Sequence, residues 1–222
     1  MSSFPFSVYS FAYAPYGSIS LTDTSPAQTF LEPLTYDEVR TYLKMDDLAP
    51  LDQSQKDELN GYISAARFQA ESIQRRDLVR KQLDLNFDYW PTYQIQLRAP
   101  LAAVQLVQYK DSAGNAIALV ANTDYVVDIA KKPGVVMPPY NRPWPSFTPW
   151  PSSAILIRFT CGYLPTDPYW LGAGSLVKKG MLLLISHWYN KRLPFERGIT
   201  PGSEYAYAVS QCFATGGMTP VY

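Results

Sequence analysis

Residues 176–192 are apolar nearly all the way round a helical wheel, with Val177, Met181, Leu182, Leu183, Leu184, Ile185 and Trp188 distributed over every side. A helix without a polar face has to be covered on all sides, so the chain must wrap its other elements around this one. Lys191 and Arg192 close the segment with cations that suit the negative end of the helix dipole, and Pro194 cannot continue it. The spacing therefore predicts a helix over 175–192 at the centre of the core. Its longest unbroken apolar run, residues 181–185, is far too short to cross a bilayer, and no membrane partner is expected.

Two amphipathic segments precede it. Thr35 and Glu38 have the spacing of a capping box, in which the Thr hydroxyl and the Glu carboxylate satisfy the first free amides of a helix. This predicts a helix over 35–44 with Val39, Tyr42 and Leu43 inward, followed by a short acidic turn over 45–50. A second helix is expected over 54–76, capped by Ser54, with Asp57 and Glu58 in its first turn, where they favour the dipole. Leu59, Tyr62, Ile63, Ala66, Ala70 and Ile73 recur at helical spacing and form its inward face. Arg67, Arg75, Arg76, Arg80 and Lys81 read as a solvated edge near the helix C-terminus, the alternative being a stripe that faces DNA.

Over 78–163 the period changes to two. Leu83, Leu85 and Phe87 alternate, and residues 93–97 alternate again. Residues 104–109 and 116–120 flank a hairpin turn running from Asp111 to Asn115, with Gly114 supplying positive φ. Short strands at 125–129 and 135–137 surround a turn at 131–134. Residues 138–151 contain six prolines, which lock φ and cannot donate to a ladder, so a stiff loop is expected. Residues 154–159 form the last strand, with Ile155 and Ile157 on one side, and the pattern stops at Gly162 and Tyr163. Strands grouped between helices define an α+β class: a small helical bundle of three main helices with an inserted antiparallel β-rich region. The core spans 34–192. Extended arms at 1–33 and 193–222 flank it, rich in Tyr, Phe, Ser and Gly and nearly free of charge. The first arm reads as docking on a neighbouring surface, or else as an edge strand of its own domain.

Charged residues make up 17% of the 222 residues and the net charge is zero. Tight, sequence-independent phosphate binding needs a basic surplus that this chain lacks, whereas a neutral channel past which DNA slides is compatible. Seventeen Tyr cover surface that charge would otherwise occupy, a composition suited to protein contacts. Cys161 and Cys212 suggest no disulfide framework; Cys161, in an apolar strand, reads as a buried small hydrophobe. The first basic residue is Arg40, so a secretory signal is not expected. No phosphate loop, HExxH, CxxC or GxSxG occurs. His187, the one histidine, sits on the most apolar helix and reads as structural. Asp84 and Asp88 imitate a carboxylate pair but are expected to face solvent, and Gly172, Gly174 and Ser175 read as a plain helix start. These absences predict a chain with no catalytic, metal or cofactor site, and therefore not an enzyme.

Four segments together resemble a known family: residues 34–43 (LTYDEVRTYL); residues 62–67 (YISAAR) running into 80–87 (RKQLDLNF); residues 140–151 (YNRPWPSFTPWP) with 154–163 (AILIRFTCGY); and residues 177–192 (VKKGMLLLISHWYNKR). In order and spacing they are similar to the head–tail connector (adaptor, or head-completion) proteins of long-tailed bacteriophages and related gene transfer agents. The arm 1–33 is longer than that family shows, and Trp150 with Pro151 thickens its proline loop. The resemblance implies a structural virion protein: a ring, commonly of twelve copies, stacked under the portal protein. Such a ring closes the DNA-filled head and joins it to a neck, stopper or tail protein, and double-stranded genomic DNA passes through its lumen without sequence-specific binding. Location would be the virion neck, and the host cytoplasm during assembly. On this reading Tyr140, Trp144, Phe147, Trp150, Asp111 and Asn115 are expected at subunit or neck contacts. Phe195, Tyr205, Tyr207, Phe213 and Tyr222 are expected on a tail that docks into the portal. An alternative of another class is a carbohydrate or host-surface binding module that uses Tyr140, Trp144 and Trp150 as stacking platforms.

Overall fold

In a computed structural model, described here for residues 19–26, 31–45, 52–190 and 203–214, the chain divides into a β unit and a helical unit. The helical unit draws on Ser25–Lys81, Arg98–Ala102 and Cys161–Tyr222; the β unit takes Met1–Thr24, Gln82–Leu97 and Ala103–Thr160. The architecture is α+β, with antiparallel sheets and, among the described residues, a fourth α-helix besides the three main ones.

The helical unit is built as the apolar wheel demands. Helix α3 (Ala173–Asn190) buries Val177, Met181, Leu184 and Ile185 among α1 (Tyr36–Tyr42), α2 (Gln53–Gln74) and α4 (Ser203–Ala214). Each such side chain taken out of water contributes about 1.5–3 kcal/mol. Thr35 and Glu38 form the expected capping box, and Val39 is buried. The cap of α2 is Asp52 rather than Ser54: its carboxylate accepts from the Gln55 amide while the Gln55 side chain accepts from the Asp52 amide. The box moves two residues because Asp and Gln stand three apart, as the reciprocal geometry requires. Ile73 is exposed, and Gln74 takes the inward position instead, donating to the Phe213 carbonyl at 2.9 Å. The expected turn over 45–50 lies outside the described residues beyond Met45.

The second arm is not simply extended. Part of it forms α4, whose Val209 and Phe213 join the core, with Phe213 fully buried. They stand four positions apart, the spacing of one helix face. Phe213 and Cys212 meet α3 at Gly180, where a Cβ would lie 2.7 Å from Phe213 Cε1 and 2.8 Å from Cys212 Cβ. Gly180→Ala gains about 1 kcal/mol of helix propensity but forces two packed helices apart. The overpacking cost of about 1–3 kcal/mol prevails, so the variant is expected to melt at lower temperature than the parent in a circular-dichroism scan.

In the β unit a five-stranded sheet has the order β1-β2-β8-β4-β5: Ser20–Asp23, Lys81–Phe87, Ile155–Cys161, Leu101–Lys110 and Ala116–Ala118. A three-stranded sheet pairs β3 (Ile95–Gln96) with β7 (Val135–Met137), and β7 with β6 (Val126–Asp128), antiparallel. The central strand β8 buries Ile155, Ile157, Phe159 and Cys161 on alternate positions, as its period of two predicts. Strand β1 pairs antiparallel with β2, Ser20 opposite Asn86 and Asp23 opposite Leu83. This part of the first arm is therefore an edge strand of its own sheet. The arm's residues 1–18 and 27–30 lie outside the described residues.

Candidate assembly surfaces

The proline segment owes its position in the β unit to aromatic rings. Trp144 stacks on Trp90 at 4.5 Å with an interplanar angle of 4°, and Phe147 packs on Tyr109 at 4.4 Å. Phe87 meets Trp90 edge-on. Rings fixed by prolines pack with little conformational entropy left to lose, and the stiffness of 138–151 is therefore part of the packing. Trp144 is only 7% exposed, so its faces are spent inside the unit. That corrects its expected role as an open contact and removes it from the set of stacking platforms. Tyr140, in contrast, is 94% exposed.

The hairpin turn and Trp150 come together. The Asp111 carboxylate accepts from the amides of Ala113 and Asn115, both at 2.9 Å, and from the Asn115 side-chain amide at 3.1 Å. These bonds, the Asn115 side chain first, hold its pKa below the ordinary value. Gly114 adopts φ +85° and lies against the Trp150 ring, where a Cβ would sit 3.3 Å from Cζ3. The Trp150 amide donates to the Lys110 carbonyl. Asp111 and Asn115 thus shape the turn itself, while Trp150 covers it and keeps part of its ring exposed.

In the helical unit the cations read as a solvated edge, or a stripe facing DNA, belong mostly to a buried ion network. Arg67 bonds Glu32 and Glu71; Lys81 bonds Glu71 at 2.9 Å and Asp77 at 3.1 Å; Arg98 grips Asp77 through Nε at 2.7 Å and a second nitrogen at 3.0 Å. Arg76 is buried too, donating to the Tyr163 and Tyr169 hydroxyls, with its guanidinium 4.9 Å from the Tyr169 ring. Arg80 lies 3.7 Å from Asp167, and Arg75 alone of the five is exposed. Asp77 also accepts the Cys161 thiol at 3.2 Å. Burial pushes that thiol up and Asp77 pushes it further, so Cys161 is inert as a nucleophile. Sequence reasoning missed this network because Asp77 also takes partners 21 and 84 residues away, Arg98 and Cys161, which local spacing does not reveal.

The imitated carboxylate pair is also structural. Asp84 is buried, contrary to expectation, and takes a bidentate bond from Arg158 at 2.7 Å through both nitrogens, which holds its carboxyl below the ordinary range. Asp88 accepts from the Ser153 amide. His187 is half-buried in the last turn of α3, and Gly174, at the start of α3, packs against Tyr169 and Trp170. Among the described residues no group of three His, Cys, Asp or Glu could hold a metal, and no helix is long and apolar enough to cross a membrane. A slot lined by Leu31, Glu32, Pro33, Tyr163, Pro165, Trp170 and Lys178 encloses about 40 Å³. Small-molecule pockets run to about 300 Å³ or more. Of the residues expected on a docking tail, Phe213 is instead in the core and Tyr207 is exposed on α4. Phe195, Tyr222 and the Tyr205 side chain lie outside the described residues.

No family model and no curated protein matches the chain. Solved structures do. A chain in the neck of an empty gene transfer agent particle, computed with C6 symmetry, is 20% identical with a TM-score of 0.65, covering 91% of this chain and 97% of that one. A chain from the virion of a native gene transfer agent particle is 18% identical with a TM-score of 0.63, covering 86% and 93%. Another, from the neck of a native particle computed with C12 symmetry, is 18% identical with a TM-score of 0.61, covering 87% and 94%. The fold is that of neck proteins of phage-like particles, as the sequence resemblance implies.

Proposed function

We propose that the chain is a head–tail connector subunit: a mechanical component that closes into a ring beneath the portal, lets genomic DNA pass through its lumen and joins the filled head to the neck or tail. The observation that carries this reading is a fold shared almost end to end with a neck protein, 91% of one chain on 97% of the other. A head-to-tail interface between copies closes by rotation, and C6 and C12 symmetry in the two necks agrees with that geometry. Zero net charge suits a lumen that DNA slides through. Exposed Tyr140, Tyr93 and Leu171 supply apolar area for neighbouring subunits and the next neck layer.

Portal docking falls to the chain beyond α4. Truncation after Ala214 spares Val209 and Phe213, so the helical unit keeps its core. The expected result is folded protein together with heads that fail to acquire tails. DNA-filled, tailed particles in parental yield would overturn the docking role.

A further inference from the structure

The five-stranded sheet has two unlike edges. Strand β5 forms one, and all of its residues are exposed. Its bonds to β4 run through the pairs Val107 with Leu119 and Asp111 with Asn115, so along this ladder the odd-numbered residues face β4. The N–H and C=O of Ala116 and Ala118 therefore point away from the sheet. Natural edges are blunted by Lys, Pro or a bulge, yet residues 116–120 carry no charge and no proline, and Ile117 and Val120 are 39% and 59% exposed. The open stretch stops where the Val120 amide bonds the Asp124 carboxylate.

Strand β1 forms the other edge, and the chain reaches it from residues 1–18. That segment has no charged side chain. Phe4, Phe6 and Val8, then Tyr9, Phe11 and Tyr13, alternate with the period of a strand. Eighteen residues reach at most about 60 Å, while a strand of five needs about 17 Å. Within one molecule β1 and β5 lie at opposite edges of the sheet.

We propose that residues 4–13 of one copy add as a strand to the β5 edge of the neighbouring copy, making the sheets continuous around the ring. Backbone bonds to Ala116 and Ala118 would supply the affinity, and the uncharged aromatic alternation would supply the match. This inference rests on the ring proposed above.

Full-length chain carrying Tyr9→Cys and Ala118→Cys in a Cys212→Ser background, isolated from purified particles, tests it by thiol cross-linking. A ladder of dimers and higher multimers is expected from the double variant and none from either single variant. Rings seen by electron microscopy that yield no ladder, or only cross-links within one chain or to another virion protein, would overturn this inference and leave the ring reading standing. Absence of any ring would overturn both. As a second variant, Ala118→Pro removes an outward N–H without breaking a bond to β4, so it is expected to fold with the parental melting temperature and to lose neck-complete particles about tenfold. Parental yield from that variant would count against the proposal.

Discussion

Gly162→Ala is expected to abolish accumulation of folded protein. Gly162 follows β8 at φ +84°, a conformation that costs an L-residue about 1–2 kcal/mol. Steric overlap costs more. A Cβ there would lie 1.9 Å from the Val79 carbonyl oxygen, 2.5 Å from its carbon and 3.0 Å from the Arg80 nitrogen. These are backbone atoms, which have no rotamer by which to move aside. The Gly162 amide meanwhile donates to the Pro100 carbonyl at 3.0 Å, so the residue is held from the other side. The combined cost exceeds the range of about 0.5–3 kcal/mol that most substitutions span and consumes much of the roughly 5–15 kcal/mol that keeps a domain folded. Gly61 is the contrast: it is exposed in the middle of α2, and a Cβ would meet nothing within 4 Å. Gly61→Ala is expected to stabilise by about 0.5–1 kcal/mol. Soluble yield and thermal melting of the two variants check both, and a Gly162→Ala protein that melts like the parent would refute the close approach.

The second large effect is expected at Asp77. Its carboxylate, 2% exposed, is bonded by Lys81, Arg98 and Cys161. Those residues lie in the helical unit on its three separate stretches of chain, Ser25–Lys81, Arg98–Ala102 and Cys161–Tyr222. One buried anion therefore ties together three segments of that unit. Removing it leaves cations enclosed without their main counter-charge, and Asp77→Ala is expected to cost about 3–5 kcal/mol. Burial pushes the Asp77 carboxyl up, but Lys81 and Arg98 outweigh it and hold the group below its ordinary value. A carboxyl depressed in the folded state contributes stability that is present above its unfolded pKa, about 4, and lost as pH falls through the folded value. Lys81 is the mirror case: burial pulls it down, Asp77 and Glu71 raise it further, and its contribution is present below about 10.4 and lost as pH rises through the folded value. Denaturant titrations should give a plateau through neutrality with loss on the acid side below about pH 4. Asp77→Asn should lower the plateau and flatten that acid limb; an unchanged limb would show that another carboxylate governs it.

What could be read in the sequence was local or periodic. Thr35 and Glu38 stand three apart, so their capping box was legible in four residues. The turn from Asp111 to Asn115 and the alternation of β8 were equally self-contained. The apolar wheel of α3 marked the core because only complete burial accounts for it. The pairing of Asp84 with Arg158, 74 residues away, left no such trace, and an acid with a distant partner looks the same in sequence as one facing solvent. Helix α4 did leave a signal, Val209 and Phe213 four apart, but it was diluted in Gly-, Ser- and Tyr-rich chain. For the expected contact residues, stacking decided the outcome: Trp144 turned inward onto Trp90 while Tyr140 stayed out.

Whether this chain builds a neck ring is decided by cryo-electron microscopy of purified particles from its source, with the neck reconstructed without imposed symmetry. The expected density is one closed ring directly beneath the portal, each repeat fitted by α3 enclosed in α1, α2 and α4 together with the five-stranded sheet, around an open lumen. Density for this fold elsewhere in the particle, or particles that contain no copy of the chain, would contradict it.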